Sequence, residues 1–141
     1  MAASIAATGA PLASAFAQAR APEENPSEPG TLWWGELLSR NPQKARDFYA
    51  KVVGWEPKIT ALEDPTRPAN PGEKEYTLFT IGGQEVAGAM KIEDAEFAKD
   101  SAPVWLLYVQ VPNVDKAVGR ALELGGKVLN GPFDVQGVGR I

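Results

Sequence analysis

The chain has 141 residues, of which 44% are apolar and 23% charged, a balance typical of a soluble globular protein with one packed domain. Its net charge is −4 and its acidic residues are scattered, so we expect neither a nucleic acid nor an anionic membrane as a partner, because both require a basic patch. The sequence has no Cys and no His, which excludes disulfides, thiolate chemistry and imidazole-based catalysis and leaves only oxygen ligands for any metal ion.

The first thirty residues are predicted to lie outside the folded domain. Residues 1–19 carry no charge, are rich in Ala and end in Ala17-Gln18-Ala19, the small-residue pattern of a signal-peptidase site. They predict a bacterial secretory signal and therefore a periplasmic or secreted protein. The alternative is a disordered tail on a cytoplasmic protein, because no basic residue precedes Arg20. Residues 20–30 hold three Pro and three Glu and predict a disordered linker.

The domain, residues 31–141, is predicted to open with a β-α-β-β-β unit. Residues 34–38 form the expected first strand, and Asn41 with Pro42 begins a helix that Gly54 ends. The helix has one apolar stripe, made by Ala45, Phe48, Tyr49, Val52 and Val53.

The same unit is completed by three more predicted strands. A short strand is expected around residues 55–60, followed by an acidic loop over 63–75, either a plain variable loop or a mobile lip over the site. The stretch "EYTLFTIGGQEVAGAMKI" then predicts a hairpin that turns at Gly82-Gly83.

Most of this unit recurs after a shift of 72 residues. Asn41, Lys44, Ala45 and Gly54 then meet Asn113, Lys116, Ala117 and Gly126. The spacing predicts an internal duplication, with two unrelated amphipathic helices as the alternative. The second copy would comprise the strand "VWLLYVQV", with Leu107, Val109 and Val111 packed under a second helix, then a strand at 127–129 and a third beginning near Val138. It is predicted to be incomplete at its C-terminal end.

Several stretches carry a resemblance to a known family. They are Asn41-Pro42, Ala45, Phe48-Tyr49, Val52-Val53-Gly54-Trp55, "GGQEVAGAM" at 82–90 and "GPFDVQGVGR" at 131–140. With the tandem β-α-β-β-β units, they resemble the vicinal oxygen chelate superfamily, which includes glyoxalase I, extradiol dioxygenases and the bleomycin- and fosfomycin-resistance proteins. The resemblance covers residues 31–141 and implies an α+β fold in which curled mixed sheets form cups around a central site.

The resemblance also implies where a metal would be held. The first ligand, often His, falls on Trp34 or, with a one-residue different alignment, on Gly35; the second, often Glu, falls on Gly88; the third, often His, falls on Leu106. None of these side chains can coordinate a metal, so we expect no conventional metal centre.

Strand alternation assigns residues to the predicted cup. Glu36 is the one carboxyl among them, and it is a candidate general base or lone metal ligand, or else a solvated rim residue. Trp33 and Trp55 are expected in core or sheet–helix packing instead. The candidate ligand-binding residues that share the cup with Glu36 are Trp34, Leu38, Gly88, Met90, Tyr108 and Gln110.

Three functional hypotheses follow. The first is a homodimeric protein that binds a small, partly aromatic molecule in the cup without a metal or other cofactor. The second is an enzyme of the same superfamily, a lyase, isomerase or dioxygenase, that uses Glu36 with a divalent cation. The third is a fragment without function of its own, or only half of a longer protein that carries another unit; residues 31–141 alone would then fold poorly or exchange strands.

Overall fold

A computed structural model describes residues 28–135 and 139–141, except for the side chain of Val135. The predicted signal segment, most of the predicted linker and Val138 lie outside these residues. Five strands form the main sheet: β1 (Leu32–Ser39), β2 (Glu56–Ala61), β3 (Glu75–Ile81), β4 (Gln84–Lys91) and β5 (Val104–Val109). Helix α1 (Pro42–Val53) follows β1, a 3₁₀ turn (Ile92–Asp94) follows β4, helix α2 (Val114–Glu123) follows β5, and two-residue strands β6 (Asp134–Val135) and β7 (Gly139–Arg140) come last.

The ends of α1 follow from its sequence. The Asn41 side chain accepts a hydrogen bond from the Lys44 backbone N–H at 3.0 Å, and Pro42 occupies the first turn, where its missing N–H costs nothing. Gly54 ends the helix with φ of 75°, a left-handed conformation that suits glycine. Asn113 caps α2 in the same way through the Lys116 backbone N–H, at 2.9 Å. The predicted helices are confirmed at both positions.

The sheet has the strand order β2-β3-β4-β1-β5. Strand β1 runs parallel to β4 and antiparallel to β5, so the first strand of the second predicted unit extends the sheet of the first. The α+β glyoxalase-like fold is therefore confirmed. The pairs that position the site are Glu36 with Gly88, Leu38 with Met90, Trp34 with Tyr108, and Glu36 with Leu106.

One irregularity in the β3–β4 hairpin decides which side chains meet. Thr80 pairs with Glu85, but the next pair is Phe79 with Ala87, so Val86 is an extra residue on β4. A one-residue shift moves a strand's side chains to the opposite face relative to its partner. Tyr76 consequently lies opposite Met90.

Helix α1 covers one face of the sheet through an aromatic cluster. The Tyr49 ring stacks on Trp55 with centroids 5.4 Å apart and meets Phe79 and Trp105 edge-on. The Trp105 Nε1–H donates to the Tyr49 hydroxyl at 2.9 Å, which ties β5 to the helix. Trp55 thus lies in sheet–helix packing, as the sequence indicates.

Arg46 is the one buried residue of α1 among those described, with 6% of its surface exposed. Its guanidinium donates to the Glu75 carboxylate and the Thr77 hydroxyl, both at 3.1 Å, and to the Gln43 side chain at 2.8 Å. These bonds join the first turns of the helix to β3.

Replacing Arg46 with Ala is expected to lower the free energy of unfolding by about 2 kcal/mol, because the buried Thr77 hydroxyl loses its partner and the arginine stem no longer covers the sheet. Urea unfolding measures this loss. The matched control is Arg120→Ala, which removes an exposed pair with Glu123 and should change stability by less than about 0.5 kcal/mol. Equal effects of the two substitutions would contradict the structural role of Arg46.

The second half of the chain departs from two expectations. Residues 127–129 form no strand and are exposed. Leu107 and Val109 are not covered by α2: they are 61% and 49% exposed, and no side chain of α2 is buried. Both predictions were wrong. The strand at 127–129 rested on the internal repeat alone, whereas the placement of Leu107 and Val109 rested on alternation. Alternation assigns a residue to a face but does not show that another element packs on that face.

The loop between β2 and β3 is ordered by its own contacts. Arg67 pairs with Glu73 at 2.5 Å and with Asp64 at 3.4 Å, and the Leu62 and Lys74 backbones are joined at 2.9 Å. This favours the plain-loop interpretation over a mobile lip. Within the described ranges, no helix has the length and apolar character needed to cross a bilayer.

Candidate functional site

The sheet face opposite α1 carries the residues that the sequence assigns to the cup. Trp34, Glu36 and Leu38 from β1 lie beside Met90 from β4, all nearly or fully buried. Strand β3 adds Tyr76 and Leu78. Around this layer pack the partly buried side chains of Trp33, Phe97, Leu106, Tyr108 and Ile141.

A chain of hydrogen bonds crosses this layer. The Trp34 Nε1–H donates to the Tyr76 hydroxyl oxygen over a long 3.4 Å, and the Tyr76 hydroxyl donates to Glu36 Oε2 at 3.1 Å. Indole nitrogen can only donate, so it leaves the single hydroxyl hydrogen of Tyr76 for the carboxyl. The other carboxyl oxygen, Glu36 Oε1, is buried and has no hydrogen-bond partner among the described residues.

The Glu36 carboxyl is held in its neutral form by its surroundings. Burial raises its pKa from 4.5 to about 8, and the Tyr76 hydrogen bond opposes that rise only in part. Burial raises the pKa of Tyr76 and that of Tyr108 well above the ordinary value, and a negative charge on Glu36, once it ionises, adds to the rise. A carboxyl in this state can donate or exchange a proton near neutral pH.

Gly88 makes the hydrogen-bond chain possible. A Cβ at this position would lie 1.8 Å from the Tyr76 hydroxyl oxygen, 2.6 Å from Tyr76 Cζ and 3.1 Å from Trp34 Nε1. The Tyr76 ring therefore fills the volume that a side chain from β4 would occupy, and it reaches across β4 to Glu36 on β1.

An open cavity of about 460 Å³ adjoins the buried layer at β5. Leu106 and Tyr108 form the wall that it shares with the layer, and Phe133 and Ile141 come from the C-terminal segment, where their backbones exchange hydrogen bonds of 2.9 and 3.0 Å. Trp33 meets Tyr108 edge-on in the same wall, with centroids 6.5 Å apart. Small-molecule sites are typically apolar cavities of this size with a few polar groups.

The structure divides the sequence-predicted residues into two groups, one that lines the cavity and one that is buried beneath it. Tyr108 and Gln110 line the cavity. Glu36 is fully buried, so it is not a solvated rim residue. The remaining predicted residues, Trp34, Leu38, Gly88 and Met90, lie with Glu36 in the closely packed layer beneath.

Several residues of the site are additional to the set predicted from the sequence. Tyr76 could not be assigned to the cup from the sequence, because a regular hairpin closed at Gly82-Gly83 would turn its side chain toward α1. The extra residue Val86 reverses that assignment. Trp33 reaches the cup side where the pairing of β1 with β5 is irregular between Leu32 and Trp34, a shift that no sequence signal marks. Alternation along β5 does place Leu106 on the side of Tyr108. The other additional residues are Leu78, Phe97, Phe133 and Ile141.

The model of the Glyoxalase/Bleomycin resistance protein/Dioxygenase superfamily matches residues 31–141. The chain belongs to this superfamily. It is similar to the anthracycline biosynthesis protein DnrV of Streptomyces peucetius, with 34% identity over 106 residues, which is 75% of this chain and 34% of that protein.

Two further relatives are similar to this chain over a comparable range of residues. The putative glyoxylase CFP32 of Mycobacterium tuberculosis (strain CDC 1551 / Oshkosh) is 27% identical over 120 residues, 85% of this chain and 43% of that protein. The anthracycline biosynthesis protein DauV of Streptomyces sp. (strain C5) is 28% identical over 123 residues, 80% of this chain and 42% of that protein. The chain spans less than half the length of these curated relatives.

Superfamily members often hold a divalent metal, and the described residues do not fit one. Trp34, Gly88 and Leu106, at the positions that the resemblance assigns to ligands, lack coordinating groups, and Gly35 lies on the helix side, where an added Cβ would be 3.7 Å from Trp105. Across residues 28–135 and 139–141, no three or more Asp or Glu side chains are grouped so that they could bind a metal ion. The space above Gly88 is moreover filled by Tyr76.

Proposed function

We propose that this superfamily member binds a small, partly aromatic molecule in the cavity beside β5, without the usual metal. The observation that carries the proposal is the composition of that cavity. Its walls include Trp33, Phe97, Tyr108 and Phe133, whose rings can stack on a planar ligand, and Gln110 as a polar group.

The relatives suggest the class of ligand. Two of them are named for anthracycline biosynthesis, and anthracyclines are built on a fused, planar ring system that carries carbonyl groups. A cavity of about 460 Å³ is large enough for a fused aromatic ring system of drug size. We therefore choose 2-(hydroxymethyl)anthraquinone as the first probe.

Titration with this probe is expected to quench tryptophan fluorescence, because Trp33 lies in the cavity wall. Phe97→Leu removes a ring from that wall and should weaken binding about threefold to tenfold, on the scale of one aromatic contact. The matched control Phe48→Leu changes an exposed ring on α1 and should leave the dissociation constant unchanged. Prior treatment with a chelator should also leave it unchanged. Equal weakening by both substitutions, or no saturable quenching, would contradict the proposal.

A second candidate function is favoured by the buried carboxyl. Glu36, with its pKa near 8, is suited to act as a general base, alone or with a divalent cation, in a lyase, isomerase or dioxygenase reaction. Under this alternative, Glu36→Gln abolishes turnover while the protein remains folded. A variant that kept full turnover would exclude it.

Two further expectations belong to the proposal: the first is implied by the superfamily resemblance, and the second derives from the N-terminal sequence. We expect a homodimer and, if residues 1–19 are a secretory signal, a location in the bacterial cell envelope. Native mass spectrometry of residues 20–141 reports the oligomeric state together with any retained metal or small molecule.

A further inference from the structure

We propose that Glu36 is the polar anchor of the site: it stays a neutral acid, carries its proton on Oε1, and donates that hydrogen to a carbonyl or quinone oxygen of the ligand. The inference rests on the proposed function and names the chemical class of ligand. The protonated Glu36 carboxyl would then serve as a hydrogen-bond donor in the cup in which the resemblance would place a metal.

The position of the proton follows from the hydrogen-bond chain. The Tyr76 hydroxyl donates to Glu36 Oε2, so Oε2 acts as an acceptor. A proton on the neutral carboxyl therefore belongs on Oε1. That oxygen is fully buried and unsatisfied within the described chain, and a donor in this situation gains most from an added acceptor.

The direction of Oε1 follows from the strand order. Oε2 is turned across β4 toward Tyr76 on β3, and the two oxygens of a carboxyl group diverge. Oε1 is thus turned away from β3. On the other side of β1 lies β5, with Leu106 paired to Glu36 and Tyr108 paired to Trp34. These two side chains also form part of the cavity wall, so they separate Glu36 from the cavity, and a ligand oxygen reaches Oε1 by displacing one of them.

The groups around Glu36 allow its state to be followed with pH. They are Tyr76 from β3, Trp34 from β1, Gly88 from β4, and the β5 residues Leu106 and Tyr108. Only the two phenols among them titrate, and the pKa of each is raised, so neither ionises in the pH range in which Glu36 does. Above pH 8 an ionised Glu36 would repel a ligand oxygen.

The experiment compares 2-(hydroxymethyl)anthraquinone with 2-(hydroxymethyl)anthracene, which has the same ring framework but no ring carbonyl. At pH 6.5 the wild-type protein should bind the quinone about fivefold to tenfold more tightly, the effect of one net hydrogen bond. Glu36→Gln supplies an amide donor and should keep this preference at both pH 6.5 and pH 9.5. The wild-type protein should lose it at pH 9.5, and Glu36→Met should lack it at either pH.

The outcomes separate the two proposals. Equal binding of both probes by the wild-type protein leaves the proposed function intact and overturns the anchor role of Glu36. If neither probe binds, the proposed function fails for this ligand class, and infrared difference spectra between pH 6.5 and 9.5 decide the state of Glu36. Wild-type protein should lose a protonated-carboxyl band that Glu36→Gln lacks, and identical spectra would overturn the inference.

Discussion

Replacing Glu36 with Gln is expected to stabilise the fold by about 4 kcal/mol at pH 7.5 and to have little effect at pH 4.5. The carboxyl is fully buried, and its pKa rises from 4.5 to about 8 on folding. Between these values the unfolded chain releases a proton that the folded protein keeps, so stability falls by about 1.4 kcal/mol per pH unit. The contribution of the protonated Glu36 carboxyl to the free energy of unfolding is therefore complete below pH 4.5 and is lost as the pH rises toward 8. The Gln side chain has the same shape as Glu, and its amide oxygen can accept the hydrogen bond from Tyr76, but the amide cannot ionise.

Urea unfolding of both proteins between pH 4.5 and 8 measures this difference. The difference between variants is the informative quantity, because other carboxyls act in the opposite sense; Arg67, for example, lowers the pKa of Glu73 to about 2. The matched control is Glu123→Gln on the exposed surface of α2, which should follow the wild-type curve. If the Glu36→Gln and wild-type curves stay parallel over this range, Glu36 is not neutral in the folded protein.

Replacing Gly88 with Ala is expected to destabilise the fold by about 2–4 kcal/mol. The added methyl group would lie 1.8 Å from the Tyr76 hydroxyl oxygen, so the fully buried ring has to move. The cost combines overpacking of a core with loss of the hydrogen bond to Glu36. Thermal or urea unfolding reports it.

Gly119→Ala is the matched control, because a Cβ at position 119 of α2 would meet nothing within 4 Å. Alanine in a helix interior should stabilise the protein by about 0.5–1 kcal/mol. Introducing Gly88→Ala into a Tyr76→Phe background should reduce its cost only in part, since Tyr76 Cζ would still lie 2.6 Å away. A Gly88→Ala variant as stable as the control would show that Tyr76 does not occupy this space.

The sequence predicted the first unit of the fold because its signals are local. Capping by Asn41, termination at Gly54 and the turn at Gly82-Gly83 each act within a few residues. The same alternation placed Glu36 and Gly88 on one face of the sheet, and they are neighbours in register.

The hydrogen-bond partner of Glu36 could not be predicted in this way. Tyr76 faces the carboxyl because Val86 is an extra residue in the hairpin, and whether a strand carries such a bulge depends on tertiary packing more than on the turn sequence. The exposure of Leu107 and Val109 was missed for a related reason: a period of two shows which residues share a face, while burial depends on what packs there.

The clearance above Gly88 also limits the order in which this site could change during evolution. While Tyr76 fills that space, a larger residue at position 88 is excluded; while Glu36 is buried, losing the Tyr76 hydroxyl leaves a second carboxyl oxygen without its bond. A side chain at position 88 therefore meets less of a clash once position 76 carries a smaller residue, and the Tyr76 hydroxyl is lost at lower cost once position 36 no longer carries a carboxyl. The effect of each of the three substitutions thus depends on which of the others is already present.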